Sequence, residues 1–187
     1  WRKELVFIAD DGDFNLHQDD ANDLAEFVET NHAEFNTKKI YLDSYPQQSR
    51  PSGEVSIETN KLIEDAFNSG AVAINYTGHG GEKLWAQEKI FDDLTISKLE
   101  NKQLPLLVTA TCEFGRQDDP AVISGAELCM IRKEGGAISL VTTSRPVNAA
   151  TNFLLNEAFY NAFFQKENDQ YLTLGEIFRR TKNNSMS

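Results

Sequence analysis

Short, continuously apolar runs of residues constrain the fold of this chain more than any other feature. Each run is followed by a polar or glycine-containing segment and then by a helical pattern. Strands that helices cover on both faces have continuous apolar runs, whereas half-exposed strands alternate apolar with polar residues. The predicted strands are, in chain order, Leu5–Ala9, Lys39–Leu42, Ala71–Tyr76, Leu104–Ala110 and Ala137–Val141.

Amphipathic segments follow or separate these runs. Ser69-Gly70 ends one of them and Gly135-Gly136 another, as is typical of helix C-termini. The predicted helices are Asp20–Thr30, Glu58–Asn68, Ser124–Lys133, Asn152–Phe164 and Leu174–Lys182. This alternation of strands and helices predicts right-handed βαβ units, and therefore an α/β fold with an open, mainly parallel sheet and helices on both faces.

Composition limits the classes of protein to which the chain can belong. Its 187 residues carry 18 basic and 29 acidic side chains, a net charge of −11, which argues against nucleic acid as a partner. No apolar run approaches the roughly 18 residues of a membrane-spanning helix. The length favours a single domain over residues 1–187, and because the chain begins at Trp1 we expect it to be a fragment of a larger protein.

Reactive side chains follow four of the predicted strands. Acidic residues 10, 11 and 13 come after the first strand, His79 after the third, Cys112 after the fourth and Ser144-Arg145 after the fifth. Ligands of parallel α/β sheets bind beyond the carboxyl ends of the strands. We therefore expect a carboxylate, an imidazole and a thiol to meet at one edge of the sheet.

These three groups together can perform nucleophilic catalysis. A nearby imidazole can generate the thiolate of Cys112 at neutral pH, and His79 can then protonate a leaving amine. A carboxylate on the other ring nitrogen would orient the imidazole. The glycines around His79 let the backbone approach a substrate and leave N–H groups free for an oxyanion hole, to which the Cys112 N–H could supply a second donor.

The second cysteine and the acidic residues after the first strand have explanations that require no catalytic or metal site. Cys129 lies within a predicted helix, where core packing explains it, so both cysteines are expected to be thiols. The acidic residues after the first strand do not have the spacing of a calcium loop, and no zinc-ligand spacing is present. We therefore predict no cofactor and no metal ligands; structural calcium at the acidic loop stays open as an alternative that no motif supports. 

Two segments resemble the motifs of a known family. Residues 74–81 read INYTGHGG and residues 104–115 read LPLLVTATCEFG, in the order found in the gingipain-type cysteine peptidases of family C25, which belong to the caspase-like clan. Residues 9–13, ADDGD, are similar as well. The resemblance covers most of the chain and is nearest to the cell-surface sortase of the bacterial type IX secretion system.

This resemblance implies a caspase-like fold and an activity. His79 would be the general acid and base, Cys112 the nucleophile, and Asp11 the orienting carboxylate, with Asp10 as the alternative one residue earlier. The backbone N–H groups of Gly80 and Cys112 would form the oxyanion hole. Such an enzyme removes the C-terminal signal of secreted cargo through a thioacyl intermediate and can transfer the cargo to an amine of lipopolysaccharide. Its partners would be signal-bearing proteins and other type IX components, at the outer membrane and cell surface.

The sequence departs from the arginine-specific members of the family. Their acidic residue that reads the substrate's basic side chain aligns here near His17, so arginine specificity is not expected. Further candidates for substrate binding are Glu113, Ser144 and Arg145. Two alternatives remain open: an inactive caspase-like module that binds secretion signals, and a hydrolase of small esters.

Overall fold

The computed structural model describes residues 1–51 and 53–185, in two compact units, Trp1–Pro146 and Val147–Ser187. The helices are α1 (Leu16–Asn31), α2 (Ile57–Ser69), α3 (Asp93–Lys98), α4 (Gly125–Ile131), α5 (Ala149–Phe163) and α6 (Leu174–Asn184). The strands are β1 (Glu4–Ala9), β2 (Asn36–Tyr41), β3 (Gln48–Arg50), β4 (Gly53–Val55), β5 (Ala73–Thr77), β6 (Gly80–Gly81), β7 (Leu84–Trp85), β8 (Phe91–Asp92), β9 (Leu106–Ala110), β10 (Ser139–Val141), β11 (Lys166–Glu167) and β12 (Gln170–Tyr171). That residues 1–187 are a single catalytic domain stays a prediction.

The central sheet of the first unit contains the predicted strands. Its order is β10-β9-β5-β1-β2, and every neighbouring pair is parallel. The register places Ala9 of β1 opposite Thr77 of β5, and Thr77 opposite Ala110 of β9. The carboxyl ends of these three adjacent strands therefore finish level with one another.

Alternate residues of the strands face two different layers of helix. Val6 and Ile8 of β1 belong to a buried core cluster that also contains Phe67 of α2 and Cys129 of α4. The residues between them face the other way, where β1 contacts α1 and the apolar side of α1 is buried. Helices thus cover both faces of the sheet, which confirms the predicted fold class.

A small antiparallel sheet follows β5 and was not predicted. It has the order β6-β7-β8, and its Trp85 ring stacks on Tyr76 of the central sheet with ring centroids 4.4 Å apart. Phe91 lies 4.3 Å from the same indole. Strands of two residues, one of them Gly-Gly, carry no periodicity from which they could be recognised. The aromatic stack fixes the loop after His79 to the core.

The polar segment Tyr45–Val55 contains the hairpin β3–β4. Ser52 of this segment lies outside the described residues. In the second unit, α5 and α6 pack together and β11 pairs antiparallel with β12. None of the helices described is long and apolar enough to cross a membrane.

Ile74 tests the packing of the central sheet. Its side chain is fully buried on β5, so Ile74→Ala should lower the free energy of unfolding by about 2–5 kcal/mol through lost burial and a residual cavity. Ile131→Ala is the matched control, because Ile131 is 67% exposed and its truncation should cost no more than about 0.5 kcal/mol. Denaturant unfolding measures both; equal losses would contradict the assigned core.

Candidate active site

The carboxylate of Asp10 fixes the backbone of the segment that carries His79. Asp10 directly follows β1 and is 2% exposed. Its Oδ2 accepts a hydrogen bond from the His79 backbone N–H at 2.6 Å, and its Oδ1 accepts one from the Gly12 N–H at 3.3 Å. Burial raises the pKa of Asp10 above its usual value, and the bond from the His79 N–H opposes that rise. The ends of β1 and β5 are thereby held together.

Close packing around His79 explains two of the neighbouring glycines. A Cβ at Gly12 would lie 2.6 Å from Cδ2 of the His79 ring, and one at Gly78 would lie 2.5 Å from the Tyr76 hydroxyl. That hydroxyl donates a hydrogen bond of 2.6 Å to the His79 carbonyl oxygen. Burial raises the pKa of Tyr76 well above its usual value, so the phenol remains a donor. The backbone on both sides of the imidazole is therefore fixed.

The ring of His79 lies beside a second carboxylate. Its Nε2 is 3.4 Å from Oδ2 of Asp13, and the same oxygen is 3.6 Å from Nε2 of His17. The two imidazoles meet edge to face, with centroids 4.8 Å apart. His79 is 46% exposed at its side chain, whereas His17 is 7% exposed. The ring of His79 is therefore open to solvent on one side, whereas the ring of His17 is buried against it.

A strained turn presents Asp13 to the two imidazoles. Asp13, Phe14 and Asn15 have φ angles of 54°, 58° and 65°, in the left-handed region that side-chain-bearing residues seldom adopt. Backbone strain of this kind costs on the order of 1–3 kcal/mol per residue and is concentrated at functional sites. This turn lies directly beside the imidazole of His79, for which the sequence predicts a catalytic role.

The predicted pairing of Asp11 with His79 needs correction. Oδ2 of Asp11 instead accepts a hydrogen bond of 2.5 Å from Nε2 of Gln47, on the exposed segment before β3. Asp10, the alternative one residue earlier, contacts the backbone of His79, and Asp13 contacts its ring. The chain turns sharply after β1, so consecutive acidic residues point to different neighbours. Sequence reasoning missed Asp13 because only the turn distinguishes it from the other carboxylates.

Cys112 lies at the end of the strand next to β5. It follows Ala110 by two residues, just as His79 follows Thr77, and Ala110 and Thr77 are register partners. The Gly78 N–H donates to the Ala110 carbonyl at 3.2 Å, and a Cβ at Gly80 would lie 2.4 Å from the Thr111 hydroxyl. The segments that carry the imidazole and the half-buried thiol therefore run against each other. That the N–H groups of Gly80 and Cys112 form an oxyanion hole stays a prediction.

An open groove connects His79 with the residue after the cysteine. It has a volume of about 600 Å³ and is lined by His79, residues 80–84, Ala86, Gln87 and Glu113. Glu113 has a φ of 56°, and its carboxylate lies 3.4 Å from Arg116, which also pairs with Glu82 at 2.5 Å. Of the residues predicted to bind substrate, Glu113 is thus the one that lines this groove together with the imidazole.

Arg145 is occupied by another ion pair. Its guanidinium bonds both oxygens of Asp118, at 2.9 and 2.5 Å, and these hydrogen bonds lower the pKa of Asp118 to about 2. The Arg145 carbonyl accepts a bond from the Glu113 N–H at 3.4 Å, and the Ser144 carbonyl accepts one from the Arg145 guanidinium at 2.6 Å. Both residues therefore shape the loop beside Cys112; substrate binding by their side chains stays a prediction.

The two thiols should differ in reactivity. Cys129 is 1% exposed in the core, and burial raises its pKa to about 12, whereas Cys112 is half-buried at the strand end. Iodoacetamide at neutral pH should therefore label one thiol per native chain, and Cys112→Ala should abolish this labelling. Mass spectrometry counts the adducts. Labelling of Cys129 in the native protein would contradict its burial, and denaturation should expose both thiols.

Gly12 tests the packing against the imidazole. Gly12→Ala would place a methyl group on the His79 ring, so the ring must move, and its NMR signals should shift while those of the distant His32 do not. Gly81→Ala is the matched control, because a Cβ there would meet no atom within 4 Å. An unshifted His79 ring in Gly12→Ala would show that the contact is absent in solution.

Comparison with known proteins agrees with this architecture. The model of Peptidase family C25 matches residues 1–187. Gingipain R2 of Porphyromonas gingivalis is 41% identical over 58 residues, which are 30% of this chain and 8% of that protein. The crystal structure of the Arg-specific cysteine proteinase gingipain R superimposes with a TM-score of 0.74 at 21% sequence identity. The match covers 99% of this chain and 41% of the gingipain chain. The complex of the Porphyromonas gingivalis RgpB pro- and mature domains superimposes with a TM-score of 0.74 at 22% sequence identity. The match covers 98% of this chain and 42% of the matched chain.

Proposed function

The chain belongs to peptidase family C25, and on this premise we propose that it is a cysteine peptidase core in which Cys112 is the nucleophile and His79 the general base and acid. The observation that carries the proposal is the register of the central sheet, which ends β5 and β9 level and brings the segments of both residues together. The chain spans less than half the length of the solved structures it resembles, so this activity is proposed for the core within a larger protein.

In the proposed mechanism, the imidazole accepts the thiol proton and the Cys112 sulfur attacks the carbonyl carbon of the scissile peptide. His79 then donates that proton to the departing amine, which leaves a thioacyl-enzyme. Attack by water releases an acid, whereas attack by an amine forms a new amide bond. The backbone N–H groups of Gly80 and Cys112 would stabilise the charged oxygen of the tetrahedral intermediates.

The two carboxylates beside His79 have separate roles in this proposal. Asp10 holds the backbone of His79 through its N–H, so it positions the residue. Asp13 lies on Nε2 of the ring, and a hydrogen bond there would leave Nδ1 as the nitrogen that exchanges a proton with Cys112. This arrangement has the logic of a catalytic triad, with Asp13 in the place first predicted for Asp11.

The substrate we propose is the C-terminal signal of cargo of the type IX secretion system, which makes the protein a sortase like PorU. The motifs around His79 and Cys112 support this function. A second argument comes from the residue that aligns near the acidic residue with which arginine-specific members of the family bind the basic side chain of their substrates. That residue is His17, whose side chain is buried rather than open to a substrate. The cargo would pass to water or to an amine of lipopolysaccharide at the cell surface, beside other type IX components.

Cargo processing tests this function in a type IX-competent bacterium that expresses the full-length protein. Cys112→Ala should leave cargo with its C-terminal signal attached, because no thioacyl bond can form, and Cys129→Ala should process cargo like the native protein. Mass spectrometry of the cargo C-terminus gives the readout. Normal processing by Cys112→Ala would overturn the catalytic assignment and favour a module that binds signals without cutting them.

A further inference from the structure

Three side chains that are distant in the sequence point at one another beside β1 and β5. Asp10 follows β1, His17 lies in the first turn of α1, and His79 follows β5. One ligand atom from each of them lies within 4.8 Å of the others. Oδ2 of Asp13 lies beside this group of three, 3.6 Å from Nε2 of His17 and 3.4 Å from Nε2 of His79. The site therefore combines two imidazoles with two carboxylates.

The nitrogen of His17 in this cluster has no hydrogen-bond partner. His17 is 6% exposed, and its Nε2 is buried without a donor or acceptor within bonding distance. It lies 3.6 Å from Oδ2 of Asp13, and the rings of His17 and His79 are nearly perpendicular, with centroids 4.8 Å apart. A buried polar atom without a partner is unfavourable, and a ring nitrogen close to a second imidazole and to carboxylates is a setting typical of transition-metal ligands.

We propose that Asp10, His17 and His79 bind a zinc ion, with Asp13 as the fourth ligand, and that the bound ion inhibits the enzyme. Two imidazole nitrogens and two carboxylate oxygens suit tetrahedral Zn²⁺, at bond lengths of about 2.0–2.2 Å. Ligand atoms around such an ion are about 3.3–3.5 Å apart, so the side chains need to close by roughly 1 Å. The His79 side chain is 46% exposed, so a shift of this size does not require the core to repack.

Inhibition follows from the nitrogen that the ion occupies. A metal on Nε2 of His79 leaves the proton of the neutral ring on Nδ1, so the nitrogen assigned to accept the thiol proton of Cys112 is already protonated. Zinc binding itself rests only on the geometry of the cluster, whereas its inhibitory effect rests on the proposed function of His79. In any cysteine peptidase, zinc could also bind between the catalytic thiolate and the catalytic imidazole. The site proposed here is a different one, because Cys112 is not among its ligands.

Cobalt(II) spectroscopy distinguishes the two sites without an activity assay. Titration of the full-length protein with Co²⁺ should give tetrahedral d–d absorption that Zn²⁺ displaces, and no sulfur-to-cobalt charge-transfer band. Cys112→Ala should bind with unchanged affinity. A charge-transfer band, or loss of binding in Cys112→Ala, would overturn the proposal in favour of a thiolate site, while leaving the proposed peptidase function untouched.

Variants of the histidines complete the test, because the chain has three of them. His17→Gln should weaken Zn²⁺ binding at least tenfold, and His32→Gln, which removes an imidazole at the far end of α1, should bind like the native protein. Should His17→Gln unfold, His79→Ala replaces it, since its half-exposed ring can be removed without a core cavity and should also abolish binding. Native affinity in either site variant would contradict the proposal.

Discussion

The hydrogen bond from the His79 N–H to the Asp10 carboxylate is the interaction on which the site depends. It joins the first residue beyond β1 to the second residue beyond β5, across the middle of the sheet. Bonds to charged acceptors are roughly twice as strong as neutral ones, which helps to offset the cost of burying a carboxylate. With Tyr76 bound to the His79 carbonyl, both polar backbone groups of this residue are held.

The other parts of the site are positioned relative to this hydrogen bond between Asp10 and His79. The register of β5 and β9 brings the cysteine segment alongside, and the stack of Trp85 on Tyr76 secures the loop that leaves His79. The left-handed turn at Asp13–Asn15 supplies the carboxylate on the ring. A strained turn persists only where its surroundings determine it, and here the packed sheet provides that support. The imidazole can thus be half-exposed and still have a defined position.

Sequence patterns predicted the sheet, its covering helices and the two residues of the proposed dyad, because apolar runs and strand ends are local features. The orienting carboxylate could not be predicted in the same way. Asp10, Asp11 and Asp13 have the same chemistry within four positions, and only the path of the turn decides that Asp11 meets Gln47 while Asp13 meets the imidazoles. His17 aligned with a substrate-reading position, yet folding of α1 buries it against His79. The pairing of His17 with His79 joins residues that no motif connects.

The pH dependence of the alkylation rate at Cys112 tests the central claim most directly. If His79 is the base for this thiol, native protein should react with iodoacetamide at neutral pH faster than His79→Ala does. The rates of the native protein and of His79→Ala should therefore depend differently on pH. Profiles that superimpose for the native protein and His79→Ala would show that the two residues are not coupled, and would contradict this account of the site.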